Sequence, residues 1–241
     1  MDVRELTQAA TSAMKSKQFA RAIQLLKEAL RISRRNLAAE LDGDMVATRR
    51  APGPVLMDTA AVLSTTDLEV VEEMSVNNDF LIFDRVFLPA DADLPAYQSM
   101  ACLYNIALCY HLWGFCGSGD RRMILRRASS FYRIGLDTAA DLVEDDAGPD
   151  VIVVVLYLAF LNNQGHINSH FCEHDEANLH LETIYSTLLS LQRRSRVIDP
   201  VILSHMEPVF YGNAEGRLAS DASFFCPFRY FSRLHTTAAA A

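Results

Sequence analysis

Small residues recur at one fixed distance in two separate parts of this chain: Ala10 is followed by Ala22, and Gly165 by Ala177, twelve positions later in each case. Around the first pair, apolar residues fall at three- and four-residue spacing: Leu6, Ala9, Ala10 and Ala13, then Ala22, Leu25, Leu26 and Ala29. That is the period of a helix burying one face. A polar break at residues 15–18 separates the two runs, so they predict a helical hairpin. A small residue on each helix lets the two axes approach closely, while larger ones three and four positions away fill the gap to the next pair.

The same pattern can be laid over two further hairpins. In the first helices, Leu6, Ala9, Ala10 and Ala13 align with Leu103, Ile106, Ala107 and Tyr110, and with Leu161, Gln164, Gly165 and Asn168. In the second helices, Ala22, Leu26 and Ala29 align with Ala128, Tyr132 and Gly135, and with Ala177, Leu181 and Ile184. Helical periodicity covers residues 96–115 and 121–143 around the break GFCGSGD, then 151–171 and 176–193 around the polar turn CEHD. Ala107 and Ala128 are twenty-one apart, so the second hairpin carries nine extra residues around CGSGDRRMI.

Between the first two hairpins, RRAPGP, DGD and STTDLE interrupt a stretch without sustained period, which predicts a long mobile connection with at most one short helix at VLSTTDLEVVEEM. FLIFDRVFL, residues 80–88, is rich in aromatic and branched residues and is bounded by Asn-Asn-Asp and Pro, as a strand would be. An unpaired apolar edge invites aggregation, so a partner is expected at residues 209–214 or 224–231. Asp199 and Pro200 suit the cap and first position of a short helix that Pro208 ends, and the tail TTAAAA is expected to fray. The expected organisation is one repeat domain: 1–35 the first hairpin, 36–79 the insertion, 80–218 the strand with hairpins two and three and a closing segment, and 219–241 a tail.

These hairpins resemble the tetratricopeptide repeat, whose signature is Trp or Leu, then Leu-Gly, then Tyr on one helix, and Ala-x-x-x-Phe on the next. YNIALCYHLWG and LNNQGHINSH look like divergent members with Asn beside the Leu-Gly step. The chain departs from the family in lacking the Trp, in carrying Gln164 and Asn168 where apolar residues belong, and in its two insertions; the likeness covers about half of it. The resemblance implies an all-α fold, a right-handed superhelical array of about three helix-turn-helix hairpins, here with a minor β-strand pair. It also implies a protein-protein interaction scaffold without catalysis, whose first helices line a concave groove for extended or helical peptides.

Carried over by this alignment, the groove begins at Thr7 and Thr11 and continues with Tyr104, Asn105, Leu108 and His111, then Asn162, Asn163, His166 and His170. Asparagine suits the task because its amide both donates to and accepts from a peptide backbone. Some family members clamp a C-terminal carboxylate with Lys, Asn and Arg; Thr7, Thr11 and Ala159 stand at those places, so that ligand is not implied. A solvated groove tolerates substitution, and Asn105→Ala with His166→Ala is expected to spare stability.

The alternative reading is a metal-binding protein or metal-dependent hydrolase using the histidine cluster in LNNQGHINSHFCEHDEANLHLETI. His166 and His170 lie one helical turn apart, with Cys172, His174 or His111 to complete a set. Against it, the H-E-x-x-H pattern is broken by Ile167, and the repeat already explains polar residues on a groove face and in a turn. The expectation is therefore no metal and no cofactor. GFCGSGD follows a helix and lacks GK[ST], so it is not a phosphate loop, and Cys116 stands where a nucleophile elbow needs its first glycine. RRASS resembles a kinase site, but Ser129 falls inside a predicted helix beside Ala128.

Composition narrows the partner. Half of the 241 residues are hydrophobic, enough for a folded core, and the formal net charge of −8 with only short basic pairs argues against nucleic acid. The N-terminal twenty residues carry charges where a secretory signal needs an apolar core, and VIVVVLYLAFL is shorter than the roughly 20 residues a membrane helix needs. Five cysteines without a CxxC pair fit a reducing compartment, cytoplasmic or nuclear, and Cys102, Cys109 and Cys116 share one helix stripe as packing residues. The partner is expected to be a protein or peptide, with self-association left open.

Overall fold

The computed structural model describes residues 1–42, 59–61, 82–89, 95–143 and 151–195, and among these it contains six helices and two short strands. The helices form the three expected hairpins: α1 (Val3–Lys15) with α2 (Phe19–Asp42), α3 (Pro95–Cys116) with α4 (Arg121–Val143), and α5 (Val151–His170) with α6 (His174–Ser195). Each helix packs against the next, and α3 also touches α5. None of the helices is long and apolar enough to cross a membrane, among the described residues.

Local chemistry sets the helix ends. Asp2 Oδ1 accepts from the Glu5 amide at 2.7 Å and Glu5 Oε2 accepts from the Asp2 amide at 3.1 Å, a reciprocal box that satisfies two otherwise orphaned donors at the start of α1. At its end, Gln18 N donates to Ala13 O and Lys17 N to Met14 O, both at 2.8 Å, with Lys17 left-handed at φ 56°. The third hairpin repeats this turn: Glu173 N donates to Asn168 O at 2.8 Å and Cys172 N to Ser169 O at 3.0 Å, with Cys172 at φ 61°. The two turns therefore superimpose residue for residue, in the register that Ala10, Ala22, Gly165 and Ala177 indicate.

The nine extra residues of the second hairpin are accommodated almost wholly as helix. Measured from the paired small residues, α3 runs four residues further than α1, α4 begins four residues earlier than α2, and the connection is one residue longer. Four residues make about one helical turn, so the facing sides of the pair are preserved. Asp120 caps the lengthened α4, its Oδ1 accepting from Met123 N at 3.1 Å.

Helix α3 is buried on every side, from Met100 and Ala101 through Leu112, and lies against α2, α4, α5 and a strand. Glycine permits two of the closest approaches around it: a Cβ on Gly114 would come within 2.6 Å of Leu125 Cδ2, and one on Gly135 of α4 would overlap the ring of Phe160 on α5.

Two expectations are corrected. The first hairpin does not end at residue 35, because α2 continues to Asp42; NLAAEL consists mostly of good helix formers, and no breaker intervenes before Gly43. The strand pair exists, but its partner is not C-terminal: β1 (Thr59–Ala61), inside the 36–79 insertion, pairs antiparallel with β2 (Arg85–Phe87), Ala60 standing opposite Val86. A nearby partner closes a shorter loop and so loses less chain entropy. The expected short helices near 62–74 and 199–208, the strands at 209–214 and 224–231, and the tail lie outside the described residues.

Candidate functional site

Asn105 on α3 and Asn163 on α5 occupy the same repeat position, and the structure gives them the same task. Asn105 Nδ2 donates to Phe87 O at 2.7 Å while its Oδ1 accepts from Phe87 N at 3.0 Å. Asn163 Nδ2 donates to Phe83 O at 3.0 Å while its Oδ1 accepts from Phe83 N at 2.7 Å. Each carboxamide thus closes a two-bond ring with the backbone of one residue. Successive residues of an extended chain turn their N–H and C=O to opposite edges, so residues four apart present the same edge, about 13 Å along the strand. Phe83 and Phe87 meet the helices with that edge, and Val86 turns the other towards β1.

The side chains of the segment are gripped as well. Phe83 and Phe87 are buried, and Phe87 meets Tyr104 edge to face with ring centroids 5.0 Å apart. Tyr104 in turn contacts Phe160 at 5.4 Å and Tyr132 at 6.0 Å. Its hydroxyl donates to Phe83 O at 2.6 Å. Burial, with Tyr132 nearby, holds the Tyr104 phenol well above its ordinary pKa, so it remains a donor.

A polar chain runs inward from this segment. Asn163 Nδ2 lies 3.0 Å from Tyr132 Oη, which lies 3.2 Å from His111 Nδ1; His111 Nε2 lies 3.1 Å from His166 Nδ1. One direction of donation satisfies every member. The asparagine donates to the tyrosine, the tyrosine O–H to His111 Nδ1, and His111 Nε2–H to His166 Nδ1; the reverse direction would leave the Tyr132 proton without an acceptor. That arrangement needs both imidazoles neutral. Burial pushes His111 well below its usual pKa and His166 down to about 3, with neighbouring histidines adding to the effect. His170, half-buried against Phe115 at 5.3 Å, is also lowered by burial and by Arg121.

No protein-family model, curated protein or solved structure matches this chain.

The candidate groove residues are brought together, but their surroundings differ from the expectation. Tyr104, Asn105, Leu108, His111, Asn162, Asn163 and His166 are buried rather than solvated: residues 82–88 lie on Tyr104, Asn105 and Asn163, while His111 and His166 meet each other where α3 and α5 face. Asn162 backs the site, its Nδ2 donating to Asn163 Oδ1 at 3.1 Å. Thr7 and Thr11 are buried too, their hydroxyls donating to Val3 O and Thr7 O at 2.8 Å. Gln164 and Asn168 are joined at 2.7 Å, and Gln164 Nε2 also donates to Ser129 Oγ at 2.9 Å, so they tie α5 to α4.

The metal alternative drew on His166 and His170, yet the close partner of His166 is His111. Cys172 is exposed in the turn and His174 at the first position of α6, and among the described residues no three His, Cys, Asp or Glu side chains are grouped to hold an ion. Cys102 is pushed up to about 12 by burial, and burial raises Cys109 too, leaving both as packing thiols at neutral pH.

Three residues of the site went unrecognised in the sequence: Phe83, Phe87 and Tyr132. The spacing of the two phenylalanines was the available signal, since residues four apart in a strand share one face.

Proposed function

We propose that this protein is an interaction scaffold of the tetratricopeptide-like kind, whose groove between α3 and α5 receives an extended polypeptide by pairing with its backbone. One observation carries the reading. Two asparagines at equivalent repeat positions, Asn105 and Asn163, each bind both polar groups of one residue in an extended segment. An amide is suited to this because it matches N–H and C=O together and needs no charge on the ligand. The occupant of the groove here is the chain's own residues 82–88. The free thiols of Cys102 and Cys109 suit a reducing compartment, cytoplasm or nucleus.

The test is selection of a displayed random-peptide library on the purified protein, followed by titration of enriched peptides against wild type and Asn105→Asp. Enriched peptides should bind wild type and lose affinity for the variant, because a carboxylate keeps the acceptor but loses the donor and repels the carbonyl. Peptides that bind both chains equally, or no enrichment at all, would overturn the reading.

A further inference from the structure

Residues 82–88 are held on α3 and α5 as a bound peptide would be. Asn105 and Asn163 read main-chain groups that every residue except proline presents, so they fix direction and register without selecting a sequence. Selection falls to Phe83 and Phe87, which are 7% and 2% exposed and lie against Tyr104. Of the residues between them, Asp84 is half-buried and Val86 is fully buried, so an apolar side chain is also taken just before the second aromatic. The recognised pattern is therefore two aromatic side chains four residues apart on an extended backbone.

The first hairpin continues the series. Gln8 precedes the left-handed Lys17 by nine residues, as Asn163 precedes the left-handed Cys172, so it holds on α1 the repeat position of the two asparagines. It is an amide, and unlike them it is exposed. The segment runs from Asn163 on α5 to Asn105 on α3, and α1 also contacts α3, so Gln8 stands ahead in the same direction.

We propose, resting on the peptide-groove reading above, that residues 82–88 occupy the site in place of an external ligand, and that this ligand is an extended segment of another protein carrying Phe-x-x-x-Phe. It displaces the chain's own segment, takes its two asparagine contacts, and continues towards Gln8. A ligand extending four residues past its second aromatic gains a third amide contact.

The internal segment competes at an effective concentration that tethering places on the order of mM, so binding is read first on a Phe87→Ala chain with a weakened occupant. The probe is a fluorescent peptide of FLIFDRVFLP with two lysines at each end, followed by anisotropy, with circular dichroism to check that the chain is folded. Saturable binding is expected, weakened at least tenfold by alanine at both recognised phenylalanines of the peptide, and at least tenfold by adding Asn105→Asp to the chain. If Phe87→Ala does not fold, hydrogen exchange on the wild-type chain decides: excess peptide should speed exchange at the Phe83 and Phe87 amides and leave α4 unchanged.

A folded Phe87→Ala chain that ignores the peptide, or binding that leaves the Phe83 and Phe87 amides protected, overturns displacement. So does a dimer in which a second copy supplies residues 82–88. Library peptides that lack the aromatic pair yet bind in an Asn105-dependent way would sink the displacement proposal and leave the groove reading standing. The absence of any Asn105-dependent peptide sinks both.

Discussion

Tyr104 and Asn163, on different helices, hold the same atom: the Phe83 carbonyl oxygen accepts from Tyr104 Oη at 2.6 Å and from Asn163 Nδ2 at 3.0 Å. The two donors are not equivalent. Removing the tyrosine hydroxyl leaves that carbonyl one partner, whereas removing the carboxamide also deprives Phe83 N–H of its acceptor and Tyr132 Oη of its donor. Tyr104→Phe is expected to cost about 1 kcal/mol and Asn163→Ala about 3 kcal/mol or more, since each buried group left unpaired costs roughly 1–3 kcal/mol. Urea unfolding measures both; equal losses would show that Asn163 does not act as described. Burial likewise reverses the expectation for Asn105→Ala with His166→Ala, which should destabilise rather than spare the fold.

Acid is expected to loosen the protein before its carboxylates titrate. His111 and His166 are neutral in the fold, with pKa values held below the ordinary 6.5 by burial, while in the unfolded chain they take up protons near that value. The unfolded state therefore binds more protons in this window. The contribution is complete above pH about 6.5 and is lost as pH falls, for His166 down to about 3, at about 1.4 kcal/mol per pH unit for each group. Denaturant titrations at pH about 7, 6 and 5 should show the decline. In His166→Gln the slope should fall by about 1.4 kcal/mol per unit; an unchanged slope would mean that His166 is not held neutral.

Gly135 is where α4 passes over Phe160. Gly135→Ala removes a helix-destabilising glycine, yet the new methyl meets a ring that is fully buried between Tyr104 and Tyr132. Overpacking of that kind costs about 1–3 kcal/mol, more than the ~1 kcal/mol gained in helix propensity. The melting temperature should fall, and Phe160→Leu in the same chain should recover part of the loss. A rise in the single variant would refute the close approach.

Cys172 adopts a left-handed conformation at φ 61° while exposed to solvent. That conformation costs a non-glycine residue about 1–2 kcal/mol, and glycine's extra freedom in the unfolded chain offsets about 0.5–1 kcal/mol of the relief. Cys172→Gly should therefore stabilise by a few tenths to about 1 kcal/mol by thermal unfolding. A destabilised variant would argue against the Schellman-type turn.

The hairpins were legible because their signals are local: apolar spacing, small residues twelve apart, and polar turns such as CEHD. Asn105 and Asn163 were legible through their shared repeat position. What they bind was not, because the segment 82–88 satisfies one edge with side-chain amides, and an amide carries no alternating pattern by which a partner strand could be sought. The histidines were legible in part, since the repeat alignment put His111 and His166 on one surface but could not give the pairing of their rings. His166 and His170 are neighbours by spacing, but His166 pairs with His111, a residue 55 positions away, through helix packing that no local period encodes.

The two clasps on the segment span very different lengths of chain, 18 residues from Phe87 to Asn105 and 80 from Phe83 to Asn163. During synthesis the first can close soon after α3 leaves the ribosome, while the second waits for α5, several seconds later at about 5–20 residues per second. For that interval Phe83 has no asparagine to hold it and its apolar neighbours are open to other proteins. Nascent chains stalled before residue 151 should accordingly protect the Phe87 amide but not that of Phe83, and the newly made protein would meet chaperones first at this half-fastened strand.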